Sequence, residues 1–322
     1  MIITRTPFRV SFVGGGSDLR EFYSKSGYGS VVSAAIRKYM YIVIHPYFHD
    51  KIRVKYSKTE DVSNVKDIKH PIVKACLEKV EIDKGIEIAS FADVPKGTGL
   101  GSSSSFTVGL LNALYAYRGI EVSKERLARE SCEIEMDVLG DPVGKQDQYA
   151  VAYGGLNYIR FNKDETVNVY PIELDIVTIK KFEECLRLYY TGGERRSADI
   201  LSRQRDNLSQ DSMMLCVKDM ASMADDLKDK LSKGKYDLVG EYLNKGWCYK
   251  RELASGISNH EIDAMYKKAI EGGASGGKLL GAGGAGFMLV YAVDHGQLEQ
   301  KMGCRSLPFS IDSEGSKLLF RE

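Results

Sequence analysis

A loop of glycines and serines, "PKGTGLGSSSSFTVG" at residues 95–109, constrains the possible folds most strongly, because it runs directly into an apolar helical pattern. Gly/Ser stretches are usually flexible linkers, but a linker is not normally followed at once by helical periodicity. Here Phe106, Leu110 and Leu114 recur at four-residue spacing. The pattern therefore predicts a helix that begins within the serine run, with Gly119 beyond its last turn.

The start of this helix is a predicted anion site. A helix N-terminus presents unpaired N–H groups and the positive end of the helix dipole. Gly97, Gly99 and Gly101 let the main chain approach a polyanion closely, and serine hydroxyls add donors or a ligand for a divalent metal. The P-loop pattern G-x-x-x-x-G-K-[ST] does not occur in the sequence, which disfavours a P-loop fold.

Two further glycine clusters point to the same class of ligand. "VGGGSD" at 13–18 follows a predicted strand, whereas "GAGGAG" at 281–286 precedes one, which is the wrong order for a dinucleotide fingerprint. Each cluster alone is more often a tight turn than a ligand site. Three clusters in one chain, one of them at a serine-rich helix start, favour a phosphorylated ligand.

The overall charge excludes two classes of partner. Lys+Arg 45 against Asp+Glu 44 gives a net charge of +1, so no overall field recruits nucleic acid or an anionic membrane. The six cysteines form no Cys-x-x-Cys pair, and the first residues lack the long apolar run of a signal peptide. We therefore expect buried free thiols in a cytoplasmic chain, with no nucleic-acid or membrane partner.

The order of strand-like and helix-like segments predicts two domains. The first hundred residues contain mostly β-branched and aromatic runs, such as "RVSFV" and "YMYIVIHPYF", and helical patterns follow up to about residue 139. Strand character returns at 151–175, and the second half then alternates strands with helices. We predict an α+β protein with domains at 1–175 and 176–322.

One carboxylate lies on a helix face that is otherwise apolar. Ser123 caps a predicted helix that runs to about Leu139, and on it Cys132 and Glu135 share a stripe of small or apolar residues. A salt bridge to a lysine or arginine is the ordinary explanation. The functional alternative is a Mg²⁺ ligand, since Mg²⁺ takes one or two protein oxygens and completes its octahedron with phosphate and water.

A second candidate carboxylate, Asp147, follows the turn in "GDPVGKQDQYAVAYGG" at 140–155. It could be an ordinary turn residue beside amide side chains that orient it. It could also take the proton of a sugar hydroxyl, or hold that hydroxyl in place, while phosphate is transferred.

Three separated blocks together resemble the motifs of the GHMP kinases, named for galactokinase, homoserine kinase, mevalonate kinase and phosphomevalonate kinase. The blocks are "RTPFRVSFVGGGSD", "PKGTGLGSSSSFTVG" and "GAGGAGFMLVY", and they span residues 5–291 in the family's order. The resemblance implies an N-terminal ATP-binding domain with a mixed or antiparallel sheet and helices, and a C-terminal ferredoxin-like α+β domain. It also implies ATP and Mg²⁺ as cofactors, a small-molecule acceptor, and a homodimer as one assembly.

Within the family, "TPFRVSFVGGGSD", "GLGSSSSFTVGLLNAL" and "DPVGKQDQYAVAYGGLN" are most similar to the branch that acts on D-glycero-D-manno-heptose 7-phosphate. The resemblance implies transfer of the γ-phosphate of ATP to the anomeric hydroxyl, giving a 1,7-bisphosphate on the route to GDP-activated heptose for surface polysaccharide, such as capsule or lipopolysaccharide. The alternatives are a kinase for an unphosphorylated sugar such as L-fucose, and a sugar- and ATP-binding regulator without catalysis.

The matching motifs imply roles for individual residues. Ser103 and Glu135 occupy the positions of the family's Mg²⁺ ligands. Asp147 aligns with the catalytic aspartate of galactokinase-like members, and Arg9 with the basic neighbour of that aspartate. Asp18 matches a position that contacts sugar hydroxyls in the galactokinase-like branch.

The glycine and serine motifs extend these assignments along the loops. The expected ATP contacts are Lys96, Gly97, Thr98, Gly99, Leu100, Gly101, Ser102, Ser103 and Ser104. The expected acceptor contacts are Gly15, Gly16, Ser17, Asp18, Asp147, Gly193, Arg195, Arg196, Gly283 and Gly284. The chain departs from the family where Ser104 and Ser105 replace alanines and where "GGG" replaces "GEH", and the second change predicts a roomier sugar site.

The second half contains the candidates for binding a distal phosphate. In "YTGGERRSADIL" at 190–201, Arg195 or Arg196 can bind phosphate bidentately, although a solvated arginine pair on a turn is an equal alternative. The glycine loop at 272–286 is expected either to close over the nucleotide phosphates and the sugar or to be a packing turn. Lys278 within it is expected to be an exposed loop cation or a phosphate contact.

Overall fold

The strands form two sheets in the part of the chain that the computed structural model describes, which is residues 1–193 and 198–322. In chain order the strands are β1 (Ile2–Val13), β2 (Tyr28–Pro46), β3 (Ile52–Lys55), β4 (Thr59–Val62), β5 (Ile86–Ala92), β6 (Leu156–Asn162), β7 (Val167–Pro171), β8 (Leu186–Tyr190), β9 (Gly276–Leu279), β10 (Phe287–Tyr291), β11 (Ser306–Pro308) and β12 (Lys317–Arg321). The helices are α1 (Arg20–Ser26), α2 (Pro71–Val80), α3 (Ser102–Tyr117), α4 (Lys124–Cys132), α5 (Gln146–Tyr153), α6 (Ile176–Glu184), α7 (Ala198–Asn207), α8 (Asp211–Leu231), α9 (Val239–Glu252), α10 (His260–Glu271) and α11 (His295–Met302). Shorter turns are the 3₁₀ segments Val65–Asp67 and Tyr236–Leu238 and the π-helical segment Glu133–Val138.

The first sheet has eight strands and is organised by β2, which is 19 residues long. The sheet runs in the order β12-β1-β2-β5-β3-β4, while β6 pairs with the other end of β2 and with β7. The β3–β5 pair is parallel, and the other described pairs of this sheet are antiparallel. The mixed N-terminal sheet implied by the resemblance is therefore confirmed.

The second sheet has four antiparallel strands in the order β11-β8-β10-β9. Counted along the chain, this is fourth, first, third and second, which is the order of a ferredoxin-like sheet. Helices α7 to α10 lie between β8 and β9, and α11 lies between β10 and β11. The expected ferredoxin-like α+β architecture of the second half is confirmed.

The C-terminal strand returns to the first sheet. β12 pairs with β1, so that Arg321 lies opposite Ile2, and Ile311 forms an isolated bridge to Ile36 of β2. The two sheets therefore do not divide the chain into two continuous pieces, although the change from the first sheet to the second falls between β7 and β8. The division at residue 175 stays a prediction.

The helix predicted after the serine run is α3, which begins at Ser102 after a left-handed Gly101 with φ of 76°. It packs on β1 and β2, and at Gly109 the approach is close enough that a Cβ atom would lie 2.8 Å from Thr6 Oγ1. Thr4 Oγ1 donates a hydrogen bond of 2.9 Å to Gly109 O. These contacts fix α3 on the sheet, and with it the glycine loop that precedes the helix.

The segment after α3 differs from the single straight helix that we predicted. Ser123 caps α4 as expected, because its hydroxyl accepts a hydrogen bond from Arg126 N at 3.1 Å. α4 then ends at Cys132, and the following turn, Glu133–Val138, is π-helical. The π turn lies within the predicted helix, yet Cys132 and Glu135 are both buried, as expected for residues on one stripe.

Three buried phenylalanine side chains join the two halves beside the first glycine loop. Phe12, at the end of β1, lies 5.7 Å from Phe182 of α6 and 6.1 Å from Phe309 between ring centroids. Phe182 and Phe309 are themselves 6.0 Å apart. Because β1 continues directly into the loop at 13–18, these contacts hold that loop against the second half of the chain.

Two predictions about the chain as a whole can be compared with the fold. Within residues 1–193 and 198–322, no helix is both long and apolar enough to span a bilayer. The cysteines are free thiols, as expected. Cys76, Cys132 and Cys216 are buried, Cys185 and Cys304 are half-buried, and Cys248 is exposed, so the expected burial is confirmed for three of the six and is wrong for Cys248.

Candidate active site

A cavity of about 500 Å³ lies where the glycine clusters of the two halves meet. Its wall includes the end of β1 with the loop at 13–18, the loop at 95–101, which we call the phosphate loop, and the start of α5. The opposite side is formed by parts of α7, α8 and α9 and by the loop at 281–286, which we call the third glycine loop. All three glycine clusters identified in the sequence therefore line one cavity.

The phosphate loop is shaped by three glycines. Gly97, Gly99 and Gly101 have φ values of 76°, 82° and 76°, in the left-handed region that glycine adopts without strain. The loop leads into the first turn of α3, where Ser102 and Ser103 line the cavity. The first N–H groups of a helix have no partner within it, so an oxyanion in the cavity would meet backbone donors and the positive end of the helix dipole.

Most of the expected ATP contacts lie on the cavity wall. Those on the wall are Lys96, Gly97, Gly99, Gly101, Ser102 and Ser103. Thr98, Leu100 and Ser104 lie behind them and are buried. Thr98 supports the loop from behind, because its hydroxyl donates to Pro95 O at 2.9 Å and its carbonyl accepts from Phe287 N at 3.1 Å.

The third glycine loop packs directly on the phosphate loop. A Cβ atom on Gly99 would lie 2.5 Å from Leu280 O, and one on Gly286 would lie 2.4 Å from Thr98 O. Both distances are too short for any side chain, so the close approach requires glycine at these two positions. The two halves of the chain are therefore in contact at the phosphate loop.

An arginine–aspartate pair stands beside the phosphate loop. Arg9 of β1 donates from Nε to Asp147 Oδ1 at 2.7 Å and from Nη2 to Asp147 Oδ2 at 2.5 Å. Its remaining Nη1 donates to Gly99 O at 2.6 Å. Arg9 is buried, whereas the Asp147 side chain is 21% exposed and lines the cavity. The structure thus brings both predicted catalytic residues together and joins them to the phosphate loop.

Asp18 is held on the same wall by the loop at 13–18 and the start of α5. Its Oδ1 accepts hydrogen bonds from Gly16 N at 2.9 Å and from Gln146 Nε2 at 3.0 Å. Burial raises the pKa of Asp18, and the negative charge of Asp147 raises it further. A Cβ atom on Gly144 would lie 2.0 Å from Asp18 Oδ2, so this position also requires glycine.

Of the other acceptor contacts expected in the first half, some lie on the cavity wall and one supports the loop from behind. Gly15 and Gly16 lie on the cavity wall. Ser17 is buried behind them, and its hydroxyl donates to Gly14 O at 2.7 Å and to Ser30 O at 2.9 Å. Ser17 therefore shapes the loop from behind and does not face the cavity.

Glu135 belongs to a buried group of polar side chains behind α3, which we call the Glu135 cluster. Its carboxylate accepts hydrogen bonds from Thr107 Oγ1 at 2.6 Å, Ser104 Oγ at 2.8 Å and Gln148 Nε2 at 2.5 Å. Burial raises the pKa of Glu135 to about 7, although the three donors act in the opposite direction. Of the two expected metal ligands, Ser103 is exposed on the cavity wall, whereas Glu135 is buried, and their assignment stays a prediction.

The expected acceptor contacts of the second half are placed unevenly. Gly283 lines the cavity, whereas Gly284 N donates to Ile257 O at 2.9 Å and supports the loop. Gly193 is exposed, and its carbonyl accepts a hydrogen bond from Tyr190 Oη at 3.2 Å. Arg195 and Arg196 lie outside the described residues.

Two buried lysines on the cavity wall complete the basic groups described there. Lys278 lies in β9 and is 3% exposed. Of the two roles expected for it, that of an exposed loop cation is therefore wrong. Lys250 of α9 is 8% exposed and is a cavity residue that was not among the expected site residues. A signal was present, because Lys250 continues the helical stripe of Leu243 and Trp247, where an apolar residue is the ordinary choice.

Two buried polar atoms of wall residues lack a protein partner. Among the described residues, Ser11 Oγ and Gln146 Oε1 make no hydrogen bond. A Cβ atom on Gly15 would lie 3.8 Å from Gln146 Nε2 and 3.9 Å from Ser11 Oγ, so the absence of a side chain at Gly15 leaves space beside both residues. An unsatisfied buried polar atom costs about 1–3 kcal/mol, and a hydroxyl group of a ligand would remove that cost.

A helix N-terminus and an arginine–aspartate ion pair that face one cavity are features expected of the enzymes that transfer phosphoryl groups to small molecules. Two family models match the chain, "GHMP kinases N terminal domain" at residues 68–155 and "GHMP kinases C terminal" at residues 227–307. The chain belongs to the GHMP kinases and is therefore an ATP-dependent kinase.

Individual relatives agree with this assignment. The chain is 29% identical over 305 residues to a D-glycero-alpha-D-manno-heptose 7-phosphate kinase of Campylobacter jejuni, and the match covers 90% of this chain and 89% of the relative. It is 28% identical to a bifunctional fucokinase/GDP-fucose pyrophosphorylase of Arabidopsis thaliana, over 89% of this chain and 29% of that longer protein. A crystal structure of a D-glycero-D-manno-heptose 1-phosphate kinase from Bacteroides thetaiotaomicron shares the fold, with a TM-score of 0.82, 23% identity and full coverage of both chains.

Proposed function

We propose that this kinase transfers the γ-phosphoryl group of ATP to the anomeric hydroxyl of D-glycero-D-manno-heptose 7-phosphate, giving the 1,7-bisphosphate. The Campylobacter jejuni relative named for that substrate supports the choice of acceptor, since the match covers nearly all of both chains. One geometric observation carries the reaction type, namely that the Arg9–Asp147 pair lies between the phosphate loop and the Asp18 side of the cavity.

The proposed transfer uses the residues in this arrangement. ATP phosphates bind at the phosphate loop and the first turn of α3, and the acceptor hydroxyl lies at Asp147. Asp147 accepts the hydroxyl proton, the hydroxyl oxygen forms a bond to the γ-phosphorus, and the bond from that phosphorus to the β–γ bridging oxygen breaks, so ADP leaves with that oxygen. Arg9 orients the Asp147 carboxylate through its two hydrogen bonds.

The acceptor itself is proposed to bind along the wall that contains Asp18. Ser11 and Gln146 each have a buried polar atom without a partner among the described residues, and Gly15 leaves space beside them. These groups would bind sugar hydroxyls, with Gly16 and Gly283 lining the same space. For the distal phosphate, Arg195 and Arg196 stay our candidates on sequence grounds alone.

Magnesium is proposed as the ion that accompanies ATP, where it would offset negative charge on the phosphates. Ser103 fits the role of a ligand, because it is on the cavity wall and exposed. Glu135 does not fit it in this arrangement, because its carboxylate is 1% exposed and already accepts three hydrogen bonds from protein donors.

We also propose that the product is used in GDP-heptose synthesis for surface polysaccharide. The enzyme is proposed to be a cytoplasmic homodimer. A kinase for an unphosphorylated sugar such as L-fucose is the second candidate, and the fucokinase relative favours it. Compared with heptose 7-phosphate, such a substrate would not need a cation for a distal phosphate.

A substrate screen with Mg·ATP tests the proposal. Heptose 7-phosphate, unphosphorylated heptose and L-fucose are assayed side by side, and the position of the new phosphate is assigned by NMR. We expect C1 phosphorylation of heptose 7-phosphate with a kcat/KM about 10- to 100-fold above that of unphosphorylated heptose, because a charged phosphate contact contributes about 1.5–3 kcal/mol. Faster turnover of L-fucose, or phosphorylation at another carbon, contradicts the proposal.

A further inference from the structure

The two buried lysines of the cavity wall have neutral partners. Lys250 Nζ donates to Leu279 O at 2.9 Å and also to Gly281 O. Lys278 Nζ donates to Phe12 O at 3.1 Å. These acceptors are backbone carbonyls, and within the described ranges neither ammonium group has a carboxylate oxygen within 4.0 Å.

Buried ammonium groups without a counter-ion are unusual, because lysine is rarely buried unless it is paired with a carboxylate. Asp147 lies near Lys250, but both of its oxygens already accept hydrogen bonds from Arg9. Burial lowers the pKa of Lys250 well below its usual range, and burial together with the charge of Arg9 lowers the pKa of Lys278 to about 7. An anion in the cavity would stabilise both charged forms.

The position of the two lysines indicates which anion this is. Lys250 is bonded to the carbonyls on either side of Leu280, and Leu280 O is the atom that packs against Gly99 of the phosphate loop. Arg9 connects that same glycine to Asp147. Lys250 therefore lies beside the space between the phosphate loop and Asp147, and Lys278, bonded to Phe12 O of the same strand as Arg9, lines the same cavity. In the proposed reaction, this space is where the phosphoryl group passes from donor to acceptor.

We propose that Lys250 and Lys278 bind the γ-phosphoryl group of ATP and neutralise its charge during transfer. Charge spreads over the three equatorial oxygens of that group in a loose transition state, and fixed cations at this point are an effective form of catalysis. The inference rests on the proposed ATP site and does not depend on which sugar is the acceptor. It assigns a direct role in transfer to residues of the second half of the chain.

A comparison of ATP with ADP tests the inference, since the two nucleotides differ by the group in question. Dissociation constants for Mg·ATP and Mg·ADP are measured by calorimetry, without acceptor, for the wild type, Lys250→Met and Lys278→Met. We expect each variant to bind ATP about 10- to 100-fold more weakly, the range given by one charged hydrogen bond, and to bind ADP within about twofold of the wild type. The ratio of ATP affinity to ADP affinity should therefore be smaller in each variant than in the wild type.

Lys145→Met is the matched control, because Lys145 is also a buried lysine but is paired with Glu165 and does not line the cavity. It should keep the ATP-to-ADP ratio of the wild type. If either variant folds and weakens ATP and ADP equally, the lysine only holds the third glycine loop, and the inference is wrong.

Two further outcomes also overturn the inference. One is unchanged ATP affinity in both variants. The other is a rise in KM for the phosphorylated acceptor alone, which would assign the lysines to the distal phosphate. Failure of the proposed function gives a different pattern, in which the wild type binds ATP in preference to ADP but does not phosphorylate the sugar phosphate. Lys278→Met keeps the test decisive if Lys250→Met does not fold.

Discussion

The Glu135 cluster and the cavity wall around Asp147 each hold a carboxylate near the first turns of α3, but the two carboxylates differ in exposure and in hydrogen bonding. Glu135 is 1% exposed and accepts three hydrogen bonds from neutral donors of the protein. Asp147 is 21% exposed, is bonded to one arginine, and shares its cavity with buried lysines and with polar atoms that have no partner within residues 1–193 and 198–322. The comparison teaches that a buried carboxylate whose hydrogen bonds are all made within the protein stabilises the fold. A cavity wall whose polar atoms lack hydrogen-bond partners is instead suited to binding a ligand.

Asp147→Asn should give the largest effect. The variant keeps the shape of the side chain but cannot accept the hydroxyl proton, so kcat should fall by a factor of about 10²–10⁴. Steady-state kinetics with the sugar phosphate measure this. Asp137→Asn is the control, because Asp137 is an exposed partner of Arg20 on a neighbouring turn. A kcat for Asp147→Asn within threefold of the wild type would remove Asp147 from the mechanism.

Glu135→Ala should mainly affect stability. The substitution leaves the donors of Ser104, Thr107 and Gln148 without their acceptor in a buried site, which should lower the free energy of unfolding by about 2–5 kcal/mol. Urea denaturation measures the loss. The folded fraction should keep the Mg²⁺ concentration that gives half-maximal rate. A large increase in that concentration would instead restore Glu135 as a metal ligand and break the comparison between the two regions.

Lys278→Met should change how stability depends on pH. The pKa of Lys278 is lowered to about 7 by burial and by Arg9, so the folded wild type releases a proton that the unfolded chain retains. The contribution of Lys278 to stability is therefore fully present above its usual pKa of about 10.4 and is lost as pH falls through about 7. As the pH rises from about 7 to about 9, the free energy of unfolding of the wild type should increase by about 2 kcal/mol more than that of the variant. Parallel pH profiles of the two proteins in urea denaturation would contradict this.

Ser11→Ala should give the smallest effect, and one confined to the acceptor. Because Ser11 Oγ is buried and has no partner among the described residues, the substitution should not lower the stability of the free protein, and it should raise KM for the sugar about 3- to 10-fold, the value of one neutral hydrogen bond. Ser33→Ala is the matched control, since Ser33 lies opposite Ser11 on β2 but donates to Val10 O at 2.9 Å. It should lose stability and keep KM. The reverse pattern would exclude Ser11 from the acceptor site.

Local properties of the chain were predictable. The helix that begins at Ser102 and the capping of α4 by Ser123 were both recognised in the sequence, because they depend on residues within a few positions of each other. The left-handed glycines of the phosphate loop belong to the same class. Contacts between distant residues were not predictable in this way, as the return of β12 to pair with β1 shows.

The sequence by itself determined the class of the protein, the phosphate loop, and the residue types that a kinase of this family needs. The tertiary structure decided which of two neighbouring residues faces which region. Ser103 faces the cavity and Ser104 bonds Glu135, just as Asp147 faces the cavity and Gln148 bonds Glu135. The physical reason is that successive side chains on a helix point about 100° apart, so a single residue of shift exchanges a ligand-facing group for a buried structural one.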